Sequence, residues 1–316
     1  MATVVRFLVF LVQALPSLGL LQSPNIRELY RFPNGTWLEN IAVRPNGNLL
    51  ITDATTSSLW GIPPSTDSIR SSPRLVHHFD EAKDMGGIAE LTPDTYAVIA
   101  SNSVWKIDLS KDRHSPSPVR IADIPAGFLN GMAALDGGNA VVISDSRLGL
   151  AWYLNVQSGN YSISHQHETM QANSDLGMLI GVNGLKIMDD YMYYSNSPKQ
   201  IFCRVRIDTR TSRAMGPYEI ISYNTLADDF AIDPRRIGYL ASWTNNEIIK
   251  VYPDGLHEVV AGAEYSRVLM SATAAAFGRT QSDRHVLYVT TGGETGPPVH
   301  DTASLGGKVM AVFIGS

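Results

Sequence analysis

One pattern recurs six times along the 316 residues. A small or polar turn leads into a short apolar strand, a second turn and apolar strand follow, and after a polar gap comes a third. The first strands of the six copies centre on Ile41, Ile88, Met132, Leu185, Phe230 and Ala275, at spacings of 47, 44, 53, 45 and 45 residues. The second strands are Leu49–Asp53, Tyr96–Ser101, Ala140–Ser144, Tyr191–Ser195, Tyr239–Ser242 and Val286–Thr290. A helical repeat of this length would need two amphipathic helices per unit. These apolar runs are only about five residues long and rich in Val, Ile and Tyr, as strands are. A period near 45 with several short strands per unit predicts the blades of a β-propeller.

A blade needs four strands, and the pattern supplies three. A fourth follows in five copies, at Arg74–Phe79, Val119–Ile124, Ser162–His167, Tyr218–Ser222 and Leu256–Val260. The sixth copy ends near Val312, but an unassigned strand, Ile26–Phe32, precedes the first. If that strand completes the last blade, the ring closes and loses its open edge. The expectation is an all-β chain in which residues 22–316 form a single six-bladed β-propeller, its last blade closed by the N-terminal strand. The stretch Gly292–Gly307, rich in Gly, Pro and Thr, reads as a surface loop at one mouth of the ring.

Residues 1–21 stand outside this pattern. They hold 15 apolar residues and one charge, Arg6, with Pro16, Ser17 and Gly19 near the end. This is the layout of a signal peptide or membrane-targeting leader, and it predicts entry into the secretory route. The sequons Asn34-Gly35-Thr36 and Asn160-Tyr161-Ser162 suit that route as glycosylation sites. No later segment is long and apolar enough for a stable membrane span, and the mature protein is expected to be a monomer. With 25 Lys+Arg against 30 Asp+Glu, the net charge of −5 argues against a nucleic-acid partner. The single cysteine, Cys203, excludes an internal disulfide and a cysteine-rich zinc site. It is expected to be buried and inert.

In a propeller the first strand of each blade lines the central channel. The position two before each reference residue reads Glu39, Gly86, Asn130, Asn183, Asp228 and Thr273. Asn and Asp before a strand commonly just make turns. Four oxygen-bearing side chains in register around one axis point further, to a hard divalent cation such as Ca²⁺, which takes oxygen ligands. The neighbouring Asp229 reads as turn-forming and solvated. His165 and His167 fall in an outer strand and read as solvated. Trp60, Trp105 and Trp152 recur in third strands and read as core between blades. Trp37, Trp243 and Thr273 are placed to meet a substrate.

These residues carry a family resemblance. The chain resembles the senescence-marker-protein/gluconolactonase (regucalcin-like) six-bladed propellers. The resemblance implies Glu39, Asn183 and Asp228 as ligands of a divalent cation, with Asn130 beside the substrate. The chain departs from that pattern at Asn40 and Asp229, where the family has glycine. A narrower likeness lies in Phe32-Pro33-Asn34-Gly35-Thr36-Trp37-Leu38-Glu39-Asn40-Ile41-Ala42-Val43-Arg44-Pro45-Asn46-Gly47. This stretch is similar to a filamentous-fungal branch that includes hetero-Diels–Alderases of tropolone–sesquiterpenoid (meroterpenoid) biosynthesis. They dehydrate a hydroxymethyl polyketide to a quinone methide and guide its cycloaddition to a humulene-type terpene.

No Gly-x-Ser-x-Gly elbow and no nucleotide-binding loop occurs in the sequence, so neither an α/β serine hydrolase nor a nucleotide cofactor is indicated. The reading that follows from the resemblance is a secondary-metabolism pericyclase acting on small apolar polyketide and terpenoid substrates, with Asp228 and Asn130 as catalytic residues. A calcium-dependent lactonase and a non-catalytic binding propeller are the alternatives.

Overall fold

The computed structural model describes residues 26–63, 72–111, 116–294 and 305–314. It contains six four-stranded antiparallel sheets. Blades 1 to 3 are Leu38–Val43, Leu49–Asp53, Ser58–Ile62 and Arg74–His78, then Met85–Thr92, Thr95–Ala100, Ser103–Asp108 and Val119–Asp123, then Leu129–Ala134, Ala140–Asp145, Leu150–Asn155 and Tyr161–Gln166. Blades 4 and 5 are Val182–Met188, Tyr191–Asn196, Ile201–Ile207 and Ala214–Tyr223, then Phe230–Ile232, Gly238–Ser242, Glu247–Val251 and His257–Gly262. Blade 6 holds Ala272–Phe277, Val286–Thr291 and Lys308–Phe313, and its fourth strand is Ile26–Arg31 from the other end of the chain. Ile26 pairs with Val312 and Arg31 with Lys308, which closes the ring as the strand count predicted. The leader, residues 1–21, lies outside the described residues.

Burial follows from strand order. The second strands of blades 1, 3, 5 and 6 are buried at every position, because sheets pack on both of their faces. Outer strands meet solvent and carry charge, as in Val119–Asp123. The core sits between blades, where apolar side chains of adjacent sheets interdigitate. Trp152 is buried there, and Trp60 and Trp105 pack against the same inter-blade clusters. Cys203 is also in this core, and burial pushes its thiol up to about 12, which keeps it inert.

Two polar expectations are corrected. His165 is not solvated: it is 1 % exposed, with Nε2 at 2.9 Å from the Ser212 hydroxyl and Nδ1 at 2.9 Å from the Tyr218 hydroxyl. Burial lowers its pKa to about 4. Asp229 is also buried, for a reason given below. Among the described residues no helix is long and apolar enough to cross a membrane.

Candidate functional site

At the start of the first strand in blades 1, 2, 3, 4 and 6 the ladder to the second strand breaks register. The shifts fall between Leu38 and Asn40, Met85 and Ile88, Leu129 and Met132, Val182 and Leu185, and Ala272 and Ala274. Each is a β-bulge, whose extra residue is released from pairing and re-aimed. Glu39, Asn130, Asn183 and Thr273 occupy these bulges, and Asp228 occupies the matching place just before Phe230.

A bulge leaves a backbone N–H without its ladder partner. Hydroxyls at the ends of the second strands satisfy these groups. Ser144 Oγ accepts from Gly131 N at 2.7 Å and donates to the carbonyl of Asn183 in the next blade at 2.5 Å. Ser195 Oγ accepts from Gly184 N at 3.0 Å and donates to the Asp228 carbonyl at 2.6 Å. Thr52 does the same between Asn40 N and the Gly86 carbonyl. The bulged residues of neighbouring blades are thus tied to one another around the axis. Their approach is so close that a Cβ on Gly131 would lie 2.6 Å from the Asn183 carbonyl, which is why glycine follows the ring asparagine there.

Thr273 belongs to this belt and not to a substrate surface. It has no exposure, and its hydroxyl donates to the Leu38 carbonyl at 2.7 Å and contacts Thr290 Oγ1 at 3.0 Å. The short side chain reaches the neighbouring backbone and stops there.

The other four ring residues meet in a cavity of about 290 Å³ at this end of the axis. Glu39, Asn130, Asn183, Asp228 and Asp84 are its polar lining. Trp37, Met85, Phe128, Met178, Ile180 and Trp243 are its apolar lining, with the Trp37 indole against Glu39. Trp37 stands against Gly292, where a Cβ would collide with the indole, so the stem of the Gly292–Gly307 loop borders the same mouth. Residues 295–304 of that loop lie outside the described residues.

The two acids are strongly perturbed. Burial pushes Glu39 up to about 7, and the charges of Asp229 and Asp84 add to the rise. The indole N–H of Trp37 donates to Glu39 Oε2 at 2.5 Å and opposes it. Glu39 keeps some accessible surface, but that surface faces the cavity. Asp228 is raised well above the usual carboxylate range by burial and then by the charges of Glu39 and Asp229, while a hydrogen bond with Asn183 works against the shift. Asn183 Nδ2 donates to Ser197 Oγ at 2.9 Å, and its buried Oδ1 has no partner.

Directly beneath lies the buried ion pair that corrects the reading of Asp229. Its Oδ2 receives Lys186 Nζ at 2.5 Å and Asn40 Nδ2 at 2.8 Å, and its Oδ1 accepts from Phe230 N at 2.8 Å. Asn40 belongs to blade 1 and Lys186 to blade 4, which face each other across a six-membered ring. One Asp229 oxygen therefore bridges two facing blades across the channel.

Sequence reasoning missed Asp84, Phe128, Met178 and Ile180. All four sit on connections, outside the repeat register. No three His, Cys, Asp or Glu side chains come together as a metal-binding group among the described residues. A cation here would rest on two carboxylates and amide oxygens. The unpartnered Oδ1 of Asn183 between two desolvated acids fits that donor set.

No family model matches the chain. Two curated proteins do. "Putative hetero-Diels-Alderase" of Phoma sp is 32 % identical, over 84 % of this chain and 86 % of its own length. "Putative hetero-Diels-Alderase asR5" of Sarocladium schorii is 32 % identical, over 84 % of this chain and 77 % of its own. The chain belongs to the hetero-Diels–Alderase family. Among solved structures, regucalcin of Agrobacterium tumefaciens superposes with a TM-score of 0.69 over 92 % of this chain and 94 % of that one, at 15 % identity. A gluconolactonase of Xanthomonas campestris superposes at 0.63 over 92 % and 89 %, at 13 % identity. These two likenesses establish the shared propeller fold, while the family is established by the sequence relatives.

Proposed function

We infer that the protein is a hetero-Diels–Alderase-type pericyclase of secondary metabolism that dehydrates a hydroxymethyl polyketide to a quinone methide and directs its cycloaddition to a humulene-type terpene. The carrying observation is the axial cavity, lined both by acids and amides and by aromatic and aliphatic side chains. Membership of the hetero-Diels–Alderase family supports it.

The two acids suit the first step. Loss of water needs one proton delivered to the leaving hydroxyl and one taken from the ring hydroxyl. Burial and the charges of Glu39 and Asp229 hold Asp228 well above the usual carboxylate range, which suits it to deliver the proton as the C–O bond breaks. Glu39, near 7 and fixed by Trp37, takes the ring proton, and the electron pair moves through the ring to form the quinone methide. Water leaves and the pair is left with its proton relocated. The second step forms a C–O and a C–C bond without covalent help from the protein. It needs two partners held in reactive orientation and a donor on the heterodiene oxygen. The Asn130 amide takes that donor role, and Trp37 and Trp243 line the apolar wall.

Asn183 favours a second element of the site. With Glu39 and Asp228 ionised, it would hold a hard divalent cation such as Ca²⁺ in place of the proton exchanged between the two acids, and the cation would then supply Lewis-acid polarisation of a bound carbonyl. The secretory leader and glycosylation of the exposed Asn34 and Asn160 complete the reading.

Asp228→Asn tests it. Removing the proton donor is expected to lower cycloadduct formation about 100-fold or more while the melting temperature is retained. An Asp228→Asn protein with wild-type turnover would sink the assignment. Cation binding is read separately: millimolar Ca²⁺ should raise the melting temperature of wild type and not of Asp228→Asn.

A further inference from the structure

The spacing from the third repeat to the fourth is 53 residues, against 44 to 47 elsewhere. The excess is not spread through blade 3, whose four strands are of ordinary length. It lies in the segment between Gln166 and Val182, which carries a single-turn 3-10 helix, Glu168–Met170, and then a small hairpin.

The hairpin is fixed at its base and free at its tip. Met170 is fully buried in the core between blades 3 and 4, and Asn196 Nδ2 of blade 4 donates to the carbonyls of Thr169 and Gln171 at 2.8 and 3.1 Å. Asn173 and Ile180 exchange backbone hydrogen bonds of 2.9 and 3.2 Å. Gly177, at φ +79°, makes the turn with its N–H on the Ser174 carbonyl at 2.9 Å. The tip then presents Met178-Leu179-Ile180. Met178 is 50 % exposed and Leu179 52 %, whereas Ile180 is 9 % exposed. Met178 and Ile180 line the axial cavity, and Leu179 does not.

Met178 and Leu179, half-exposed on a surface hairpin, contribute little to the fold there, and Ile180 is the buried one of the three apolar residues. Two of them alternate onto the cavity as strand residues do. We propose that this hairpin is the specificity element of the site, and that Met178 and Ile180 form the surface that selects the hydrocarbon partner. The proposal rests on the functional reading above and assigns each substrate its own lining residues. The oxygenated polyketide lies against Glu39, Asp228 and Asn130, and the terpene lies under the hairpin. Met suits this role because its unbranched thioether adapts to a large, flexible ring. Discrimination by an apolar wall is modest, on the order of tenfold for one contact.

The test is binding of humulene to the full chain, followed by tryptophan fluorescence, since Trp37 and Trp243 line the cavity. Met178→Ala is expected to raise the Kd for humulene about tenfold. Leu179→Ala, on the same hairpin but outside the cavity, should stay within about twofold of wild type. An unchanged Kd in Met178→Ala overturns the proposal, and so does an equal loss in both variants, which would mean the hairpin had merely been loosened. A cycloadduct assay separates this from the functional reading. Wild type that binds humulene through Met178 but forms no cycloadduct leaves the hydrocarbon site standing and removes the pericyclase. Wild type that forms cycloadduct with Met178→Ala indistinguishable from it removes the hairpin's role alone.

Discussion

Burial raises the pKa of both Glu39 and Asp228 above the usual carboxylate range, and holding their charged forms in the fold carries a cost in stability. Glu39 is raised from 4.5 to about 7. The folded protein therefore binds the Glu39 proton more tightly than the unfolded chain does. Its contribution is most favourable below pH about 4.5 and is lost as the pH rises toward 7. Glu39→Gln removes that dependence and should stabilise the protein at pH 8 by about 1–3 kcal/mol, with little change at pH 4.5. Urea denaturation at the two pH values measures the difference. A variant equally affected at both would show that Glu39 is an ordinary solvated acid. His165 acts with the opposite sign: its folded pKa of about 4 lies below the unfolded value, so stability is lost as the pH falls from 6.5 toward 4. His165 and Asp229 were misread from sequence for one reason. Each is buried by partners on another blade, Ser212 and Tyr218 in one case and Asn40 and Lys186 in the other. A register along the chain does not contain such pairings.

The structural element that makes the site is the head of each first strand, bulged in five blades and, in blade 5, the residue just before the strand. It converts a repeat into a ring, because the same position of each blade is aimed at the axis. This is why Glu39, Asn130, Asn183 and Asp228 could be found by counting from the repeat alone. Thr273 obeyed the same register but has too short a side chain to pass the Leu38 carbonyl. The hydroxyls that hold the bulges end the second strands and could have been counted in the same way. Ser144 bridges two blades with no exposure, so Ser144→Ala strands a buried N–H and carbonyl at a cost of about 1–3 kcal/mol. A thermal melt measures this, and an unchanged melting temperature would mean that the bulges hold without their hydroxyls. Met178, Ile180, Phe128 and Asp84 escaped counting because connections do not share the period.

At the scale of the whole molecule, closure by Ile26–Arg31 fixes the ring's diameter and so the distance across it. The Asn40–Asp229–Lys186 bridge needs that diameter, since its partners come from opposite blades. A buried ion pair is seldom retained for stability alone. Here it joins blade 5 to blades 1 and 4 across the axis. The ring, its number of blades and its closure were all legible in the spacing of short strands, because backbone pairing is local and periodic. The cavity's full lining was not legible, because most of it comes from connections.

The central claim is that this cavity makes the cycloaddition as a chiral template. A quinone methide released into water adds to an alkene without preference of face. The most direct measurement is the enantiomeric excess of the cycloadduct formed from a hydroxymethyl polyketide and humulene with and without the protein. Predominance of one enantiomer with wild type, falling to a racemate with Asp228→Asn, is the predicted result. A racemate formed at the same rate with and without wild-type protein would contradict it.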